Sequence, residues 1–334
     1  MIISRTPFRV SLFGGGTDYP TWYRQNGGAV IGTTINKYCY ISLRILPPFF
    51  EHRHRIAYSK IETVQRVEEI QHPAVRAVLQ DLDIQDGLEI HHDGDLPARS
   101  GLGSSSSFTV GMLNAIHALR GRMTTSRQLA LDAIRIEQDV LKEAVGSQDQ
   151  IWAAYGGTNH ITFLPDNSFE VTPVVMAEER RRELQGSIVL YFTGLSRYAT
   201  GVAAKKIANF AAREAELRAM AAMVPAALDI LRDARTPLAE LGRLLHESWR
   251  LKRSLADAVS TPEIDEIYEA GREAGAVGGK LLGAGGGGFL LFFVAPEKRA
   301  ALRQRLAKLI EVSVEIGSPG SKIVVYEPSG LENS

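Results

Sequence analysis

The sequence predicts a two-domain protein in which strands and helices are mixed, and three observations carry that reading. The chain has 334 residues, 45% of them hydrophobic, enough for a substantial core and more than a single domain ordinarily holds. Strand-like and helical periods follow one another through its first half, punctuated by glycine turns. Around Gly186 the pattern changes to one short strand followed by long helical stretches, so the domains are expected at residues 1–185 and 186–334.

Composition narrows the function. Lysine plus arginine equals aspartate plus glutamate, 38 of each, which argues against a general nucleic-acid partner and leaves room for a local basic pocket that takes an anionic metabolite. The single cysteine, Cys39, excludes an internal disulfide and suits a reducing compartment. The opening residues lack the apolar core of a signal peptide, and no apolar run approaches membrane-spanning length. A cytoplasmic location is therefore expected, with no membrane partner.

Ile2–Phe13 reads as a strand, with Val10 and Leu12 alternating against Arg9 and Ser11. It runs into Gly14-Gly15-Gly16-Thr17-Asp18-Tyr19-Pro20, where three glycines let the backbone approach a neighbour and Asp18 and Pro20 suit the entry to a short helix through Tyr23. Asp18 is thus either the cap of that helix, its ordinary role, or a ligand for substrate hydroxyls. Residues 29–45 alternate well enough for a pair of strands, with a break near Asn36-Lys37. His52 and His54 would share one strand face, but no further ligands complete a zinc site, so residues 47–55 read as a solvated basic loop, or else as an anion contact. His91 and His92 point to opposite faces of a strand and do not suit one ion together.

Over residues 126–145 the apolar positions Leu129, Ala133, Ile136, Val140 and Ala144 recur at helical spacing, with Glu137 inside the helix and Gly146 ending it. A new helix is expected at Ser147-Gln148-Asp149-Gln150, which has the form of a capping box. Asp149 then falls in the first turn, where the helix dipole keeps a carboxylate ionised. That is common helix chemistry, and it also suits an aspartate that orients an attacking hydroxyl and accepts its proton.

Beyond Gly186, a strand over residues 188–193 leads into Gly194-Leu195-Ser196-Arg197. Helices are expected over residues 203–233 with a break at Pro225, over 238–259 and over 262–274. Lys252 and Arg253 fall mid-helix beside Trp249, ordinarily a snorkelling surface pair. A second glycine stretch, from Gly278 to Gly288, feeds a strand over residues 289–294, and so many glycines in one turn point to a ligand approach rather than a plain hairpin. A helix over residues 297–309 and a strand over 322–326 close the chain.

The most informative stretch is Leu96-Pro97-Ala98-Arg99-Ser100-Gly101-Leu102-Gly103-Ser104-Ser105-Ser106-Ser107, which joins a glycine turn to an apolar helix reading on through Phe108, Met112 and Leu119. A helix N-terminus offers free N–H groups and a positive dipole end, and Gly101 and Gly103 admit a ligand close to the backbone, which together describe a phosphate cradle. It is not a P-loop, since four serines follow Gly103 with no lysine, and not a dinucleotide fingerprint, since Ser106 stands where the third glycine belongs. A serine-capped helix after a tight turn is the other reading that this stretch allows.

Three stretches in this order resemble the GHMP kinases, the small-molecule kinases named for galactose, homoserine, mevalonate and phosphomevalonate. They are Pro7-Phe8-Arg9 through Gly16-Thr17-Asp18-Tyr19, the loop from Pro97 to Ser107, and Lys280 to Gly288 before Phe289; with Glu137 and Gly146 to Gln150 they span nearly the whole chain. The resemblance implies an N-terminal α/β domain like ribosomal protein S5, a C-terminal ferredoxin-like α+β domain, and an active site between them. It implies ATP and Mg²⁺ as cofactors: Pro97, Ser100, Gly101, Leu102, Gly103, Ser104, Ser105 and Ser106 would wrap the phosphates, and Ser105 with Glu137 would hold the metal. Asp149 would face the acceptor hydroxyl, with Arg9 steadying both the aspartate and the transferred group. Gly16, Thr17 and Asp18 would bind the sugar, with Ser196, Arg197, Gly285 and Gly286 on the same side.

Galactokinases carry Glu-His where Gly15-Gly16 stand here. The form Gly14-Gly15-Gly16-Thr17-Asp18, followed by Gly27-Gly28-Ala29-Val30 and Thr34-Ile35-Asn36-Lys37-Tyr38, is similar instead to bacterial D-glycero-D-manno-heptose 7-phosphate kinases and, more loosely, to L-fucokinases. That likeness implies phosphorylation of the anomeric hydroxyl of the heptose 7-phosphate to the 1,7-bisphosphate, on the route to nucleotide-activated heptose for surface polysaccharide. The partner implied is a small phosphorylated sugar, and a homo-oligomer is compatible with it. Cations for the sugar phosphate would come from Ser196-Arg197, Lys252-Arg253 or the segment from Arg53 to Arg55. The alternatives are an L-fucokinase or galactokinase-like sugar 1-kinase, a diphosphate decarboxylase, and a non-catalytic sugar and nucleotide sensor on the same fold.

Overall fold

A computed structural model describes residues 1–195 and 199–328. Strand β1 (Ile2–Phe13) is followed by helix α1 (Pro20–Asn26) and by strand β2 (Gly28–Ile45), which runs back antiparallel to β1. β2 is one strand of 18 residues, where a pair was expected over residues 29–45. What changes near Asn36-Lys37 is the neighbour: residues 28–33 pair with a strand at Thr158–Phe163, and residues 39–45 with one at Leu88–Gly94. A strand long enough to serve two partners needs no turn, so the polar pair marks a handover rather than a break.

The rest of the first unit is built around that frame. β3 (His54–Ala57), β4 (Ile61–Val64) and β5 (Leu88–Gly94) extend the sheet from the C-terminal half of β2, while β6 (Thr158–Phe163) and β7 (Phe169–Pro173) extend it from the N-terminal half of the same strand. Helices α2 (Pro73–Asp81), α3 (Ser104–Leu119), α4 (Ser126–Arg135) and α5 (Gln148–Tyr155) pack together, with α3 lying on β1 and β2. α3 is apolar nearly all round because it is enclosed by the sheet on one side and by α4 and α5 on the other. The expected helix over residues 126–145 ends early, because after Arg135 the chain widens into a single π turn, Ile136–Val140, whose Leu141 amide reaches back to the Ile136 carbonyl at 2.9 Å. Such a turn rotates the side chains that follow, and Glu137 lies within it.

Helix α6 (Glu178–Ser187) leads to a second, four-stranded antiparallel sheet of β8 (Ile188–Phe192), β9 (Ala276–Leu281), β10 (Phe289–Val294) and β11 (Ile310–Val312), in the order β11-β8-β10-β9. All six residues of β10 are apolar because both faces are covered: Phe289, Leu291 and Phe293 join the core shared with the first unit, and Leu290, Phe292 and Val294 a separate cluster with Trp249 and Tyr268. Helices α7 (Ala199–Ala208), α8 (Glu214–Arg232), α9 (Ala239–Ser254), α10 (Pro262–Glu273) and α11 (Arg299–Arg305) complete the unit. Pro225 does not break the helical stretch before residue 233. It sits inside α8, held between β2 and α9, and the interruption falls instead at residues 209–213.

The second sheet begins two residues after Gly186, but the last strand, β12 (Lys322–Tyr326), returns to pair antiparallel with β1. The second sequence segment, residues 186–334, therefore contributes an edge strand to the first sheet, whose eight strands include the path β12-β1-β2-β5-β3-β4. Among the described residues, no helix is long and apolar enough to cross a membrane.

Candidate active site

The serine-rich turn resolves in favour of an open helix end. The residue preceding α3 is Gly103, in the left-handed conformation with φ +76°, and no side chain caps the helix. Ser104 instead turns its hydroxyl back to accept the Arg99 amide at 3.1 Å, and Ser107 donates to the Pro7 carbonyl at 2.8 Å. The first N–H groups of α3 are thus left to a ligand, in the geometry that suits phosphate.

Arg9, at the inner end of β1, ties this turn to Asp149. Its Nε donates to Asp149 Oδ1 at 2.8 Å and its Nη2 to Oδ2 at 2.6 Å, while Nη1 donates to the Gly101 carbonyl. The Arg9 backbone amide adds a bond to the Leu102 carbonyl at 3.0 Å. A planar guanidinium is the group that can hold a carboxylate with two nitrogens and a loop carbonyl with the third. Arg9 is buried, whereas the Asp149 side chain keeps 26% of its surface exposed, so the carboxylate has access to a small molecule.

The helix that carries Asp149 does not begin with the expected capping box. Ser147 makes no side-chain cap, and the Gln150 amide is spent elsewhere, donating to Glu137 Oε2. Ser106 donates to the same oxygen at 2.9 Å. The structure therefore joins Glu137 to Ser106, while Ser105 lies exposed on the first turn of α3. Burial pushes the Glu137 carboxyl up to about 7, against the hydrogen bonds that favour its charge. Its Oε1 is buried with no hydrogen-bond partner among the described residues. An orphaned carboxylate oxygen beside a phosphate-binding turn fits a divalent cation held by one carboxylate, a serine hydroxyl and the nucleotide itself. Among the described residues no cluster of three or more His, Cys, Asp or Glu provides an all-protein metal site, His52, His54, His91 and His92 included.

Asp18 is not a helix cap: α1 is preceded by Tyr19 and has no side-chain cap. The Asp18 carboxylate is 1% exposed and accepts the Gly16 amide at 2.9 Å. Burial raises its proton affinity, Asp149 adds to that, and the Gly16 amide, Lys206 and Gln148 oppose it. Gly146 passes so close that a Cβ there would fall 1.9 Å from Asp18 Oδ2. Thr17, expected among the sugar ligands, is turned inward, its hydroxyl against the Gly14 and Ala29 carbonyls and accepting the Ala29 amide. It holds the turn together.

The second glycine stretch docks on the first. A Cβ on Gly283 would lie 2.4 Å from Gly101 Cα, and one on Gly101 would lie 2.5 Å from the Leu282 carbonyl oxygen, so both positions require glycine for backbone to meet backbone. The Phe289 amide donates to the Ser100 carbonyl at 3.1 Å across the same seam. Gly285 and Gly286, expected on the substrate side, pack on Val259, whose carbonyl accepts the Gly286 amide at 3.0 Å. Gly278 and Gly279 are not in the turn at all but in β9. Of the turn's glycines, Gly283 and Gly288 meet the serine turn, while Gly287 meets the backbone of Leu195.

Three lysines line the seam, and sequence reading missed two. Lys252 is buried, not snorkelling, and donates to the Leu281 and Gly283 carbonyls at 2.7 and 2.6 Å. Lys280 donates to the Leu12 carbonyl at 2.9 Å, and burial followed by repulsion from Arg9 lowers its ammonium to about 7. Lys206, on α7, is 4% exposed and lies within electrostatic reach of Asp18 and Asp149. No short-range pattern marks Lys206 or Lys280: one is the second of two adjacent lysines on a helix, the other a lone lysine after two glycines. Gln148 and Ser11, whose Oε1 and Oγ are buried without partners among the described residues, were missed as well. The remaining candidate phosphate ligands are engaged elsewhere: Arg253 with Asp265 at 2.7 Å, and Arg55 with Glu89 at 3.1 Å. Ser196 and Arg197 lie outside the described residues.

Known proteins match the chain over nearly its whole length. Residues 66–157 match the family described as GHMP kinases N terminal domain, and residues 223–311 the one described as GHMP kinases C terminal. The chain is 30% identical over 321 residues to D-glycero-alpha-D-manno-heptose 7-phosphate kinase of Campylobacter jejuni, covering 92% of this chain and 93% of that one. It is 26% identical over 350 residues to L-fucokinase/L-fucose-1-P guanylyltransferase of Bacteroides fragilis, covering 91% of this chain and 36% of the other. In fold it resembles a D-glycero-D-manno-heptose 1-phosphate kinase from Bacteroides thetaiotaomicron, with a TM-score of 0.77 at 24% identity over 98% of this chain and 100% of that one.

Proposed function

The chain belongs to the GHMP kinases, and from that premise, which makes it an ATP-dependent phosphotransferase with an alcohol as acceptor, we propose that it phosphorylates the anomeric hydroxyl of D-glycero-D-manno-heptose 7-phosphate to give the 1,7-bisphosphate. The observation that carries this reading is the single side chain of Arg9 joined at once to the Gly101 carbonyl of the serine turn and to both oxygens of Asp149. One rigid group thereby sets the distance between a phosphate cradle and a carboxylate able to take a proton. The substrate assignment is supported by the similarity to the Campylobacter jejuni enzyme over nearly the full length of both chains.

In this reading the first amides of α3 and the Ser104 to Ser106 turn hold the nucleotide phosphates. Asp149 orients the acceptor hydroxyl and takes its proton as the oxygen attacks the γ-phosphorus and the bond to ADP breaks. Arg9 keeps Asp149 aimed through its two hydrogen bonds, and Asp18 accepts hydrogen bonds from sugar hydroxyls. Ser105 and Glu137 would hold Mg²⁺, which when bound shields the phosphate charges. Most of the acceleration then comes from positioning and charge, as phosphoryl transfer requires.

ADP release with Mg-ATP is to be measured against heptose 7-phosphate, L-fucose, galactose and mannose. Turnover on heptose 7-phosphate, abolished in Asp149→Asn, is the expected result. Turnover on fucose alone would transfer the reading to a fucokinase. Binding of sugar and nucleotide without turnover on any of them would make the protein a sensor.

A further inference from the structure

The acceptor end of the crevice carries two carboxylates, Asp18 and Asp149; beyond the effect of burial, Asp149 raises the proton affinity of Asp18, and both raise that of the Tyr19 hydroxyl. An acceptor that brings its own phosphate dianion would be repelled there unless a cation meets it. Three of the four buried cations around these carboxylates already have partners. Arg9 is committed to Asp149 and Gly101, Lys252 to the Leu281 and Gly283 carbonyls, and Lys280 to the Leu12 carbonyl. The Lys206 ammonium has no hydrogen-bond acceptor among the described residues and lies over the Tyr19 ring, 5.1 Å from the centroid.

Lys206 is held in place by its surroundings. Its carbonyl accepts the Asn209 amide at 3.1 Å, the Asn209 side chain donates to the Leu255 carbonyl at 3.0 Å, and Phe210 packs edge-on against Tyr19 at 5.6 Å. Tyr19 directly follows Asp18, so Lys206 and Phe210 both contact the segment that carries the sugar-side carboxylate. A buried ammonium with no acceptor is costly unless another charge offsets it. Burial lowers its proton affinity, and Asp18 and Asp149 work against that loss.

We propose that Lys206 binds the anionic group of the acceptor and thereby makes the site select a phosphorylated sugar over its unphosphorylated counterpart. The inference rests on the sugar-phosphate reading of the substrate, and it gives the second unit a direct part in acceptor choice through α7. Neither basic pair that stood out in the sequence is free for that task, since Arg253 and Arg55 are paired with Asp265 and Glu89.

The test compares the wild type with Lys206→Met and Lys206→Arg on two acceptors, heptose 7-phosphate and the unphosphorylated heptose. Lys206→Met is expected to raise KM for the phosphorylated acceptor at least about tenfold, with KM for ATP and kcat/KM for the unphosphorylated sugar each within about threefold, and Lys206→Arg to recover most of the loss. Equal losses on both acceptors, or an unmoved KM, would overturn the proposal. Calorimetric titration of inorganic phosphate into protein saturated with Mg-ADP supplies a readout independent of turnover. Wild type should bind phosphate and Lys206→Met should bind it at least about tenfold more weakly; equal binding, or none by the wild type, overturns the assignment. A wild type that binds phosphate but does not turn over heptose 7-phosphate sinks the substrate reading and leaves Lys206 standing.

Discussion

Replacing Arg9 tests whether the crevice works as one unit. Arg9→Met keeps an unbranched apolar stem but removes the guanidinium and its three hydrogen bonds, two to Asp149 and one to Gly101. If those bonds aim the carboxylate and hold the serine turn beside it, their loss is worth about 2–4 kcal/mol of transition-state stabilisation, or roughly a 30- to 1,000-fold fall in kcat. The fold should survive. Asp149 retains 26% exposure, so water screens the orphaned carboxylate and the stability cost stays below that of a fully buried pair, at about 1–3 kcal/mol. The assay is ADP release at saturating Mg-ATP and acceptor, with urea unfolding run alongside to separate chemistry from folding. Because Arg9 acts largely through Asp149, the double variant with Asp149→Asn should lose little more than Asp149→Asn alone. An Arg9→Met enzyme within about threefold of wild-type kcat, or fully additive losses in the double variant, would refute the coupling.

Further predictions concern the seam, the metal and pH. Gly283→Ala places a methyl 2.4 Å from Gly101 Cα on a residue with φ +72°, and should cost about 1–3 kcal/mol of stability while raising KM for ATP; an unchanged unfolding midpoint would mean that the two glycine turns do not meet. Glu137→Gln should raise the Mg²⁺ concentration for half-maximal rate about 10- to 100-fold, as read from an Mg²⁺ titration, and unchanged Mg²⁺ dependence would remove Glu137 from the metal site. The same variant should gain stability relative to wild type as pH rises from about 4.5 to about 7 and level off above that, because a carboxyl raised to about 7 by burial contributes stability below its unfolded value of 4.5 that is lost as pH rises through 7; parallel denaturant midpoints at pH 5 and pH 8 would contradict it. Lys280 has the opposite sign. With its folded value lowered to about 7, the unfolded chain binds the extra proton from there up to about 10.5, so wild type should gain on Lys280→Met by at most about 1.4 kcal/mol per pH unit over that window. Denaturant midpoints at pH 7 and pH 9.5 measure it, and parallel profiles would contradict the assignment.

Local pattern was enough for elements whose signal is short in range. β1, β10 and β12 lie where alternation or an unbroken apolar run places them, whereas the start of α3, which the sequence allowed to be either serine-capped or open, is shown uncapped only by the structure. The kinase family was legible too, because its chemistry needs particular residue types in a fixed order along the chain. Other features depend on what lies across a contact. Pro225 stays helical because β2 and α9 hold α8 from both sides, and Glu137 sits in a π turn that apolar periodicity does not register. Gly283 and Gly288 are glycine because the serine turn docks on them, a contact that the run of glycines does not announce.

By itself, then, the sequence determined the kinase family, and through that resemblance it pointed to the start of one helix, an acidic residue at the start of another and an arginine on the first strand as parts of one site. Only tertiary structure decided that this arginine joins the other two, that β12 closes the first sheet, and that Lys206 reaches the acceptor carboxylates from the second unit. The physical reason is range. Propensity, capping and periodicity act over a few residues, whereas a buried charge finds its partner through space, and nothing in a lysine's neighbours along the chain reveals which carboxylate it will meet.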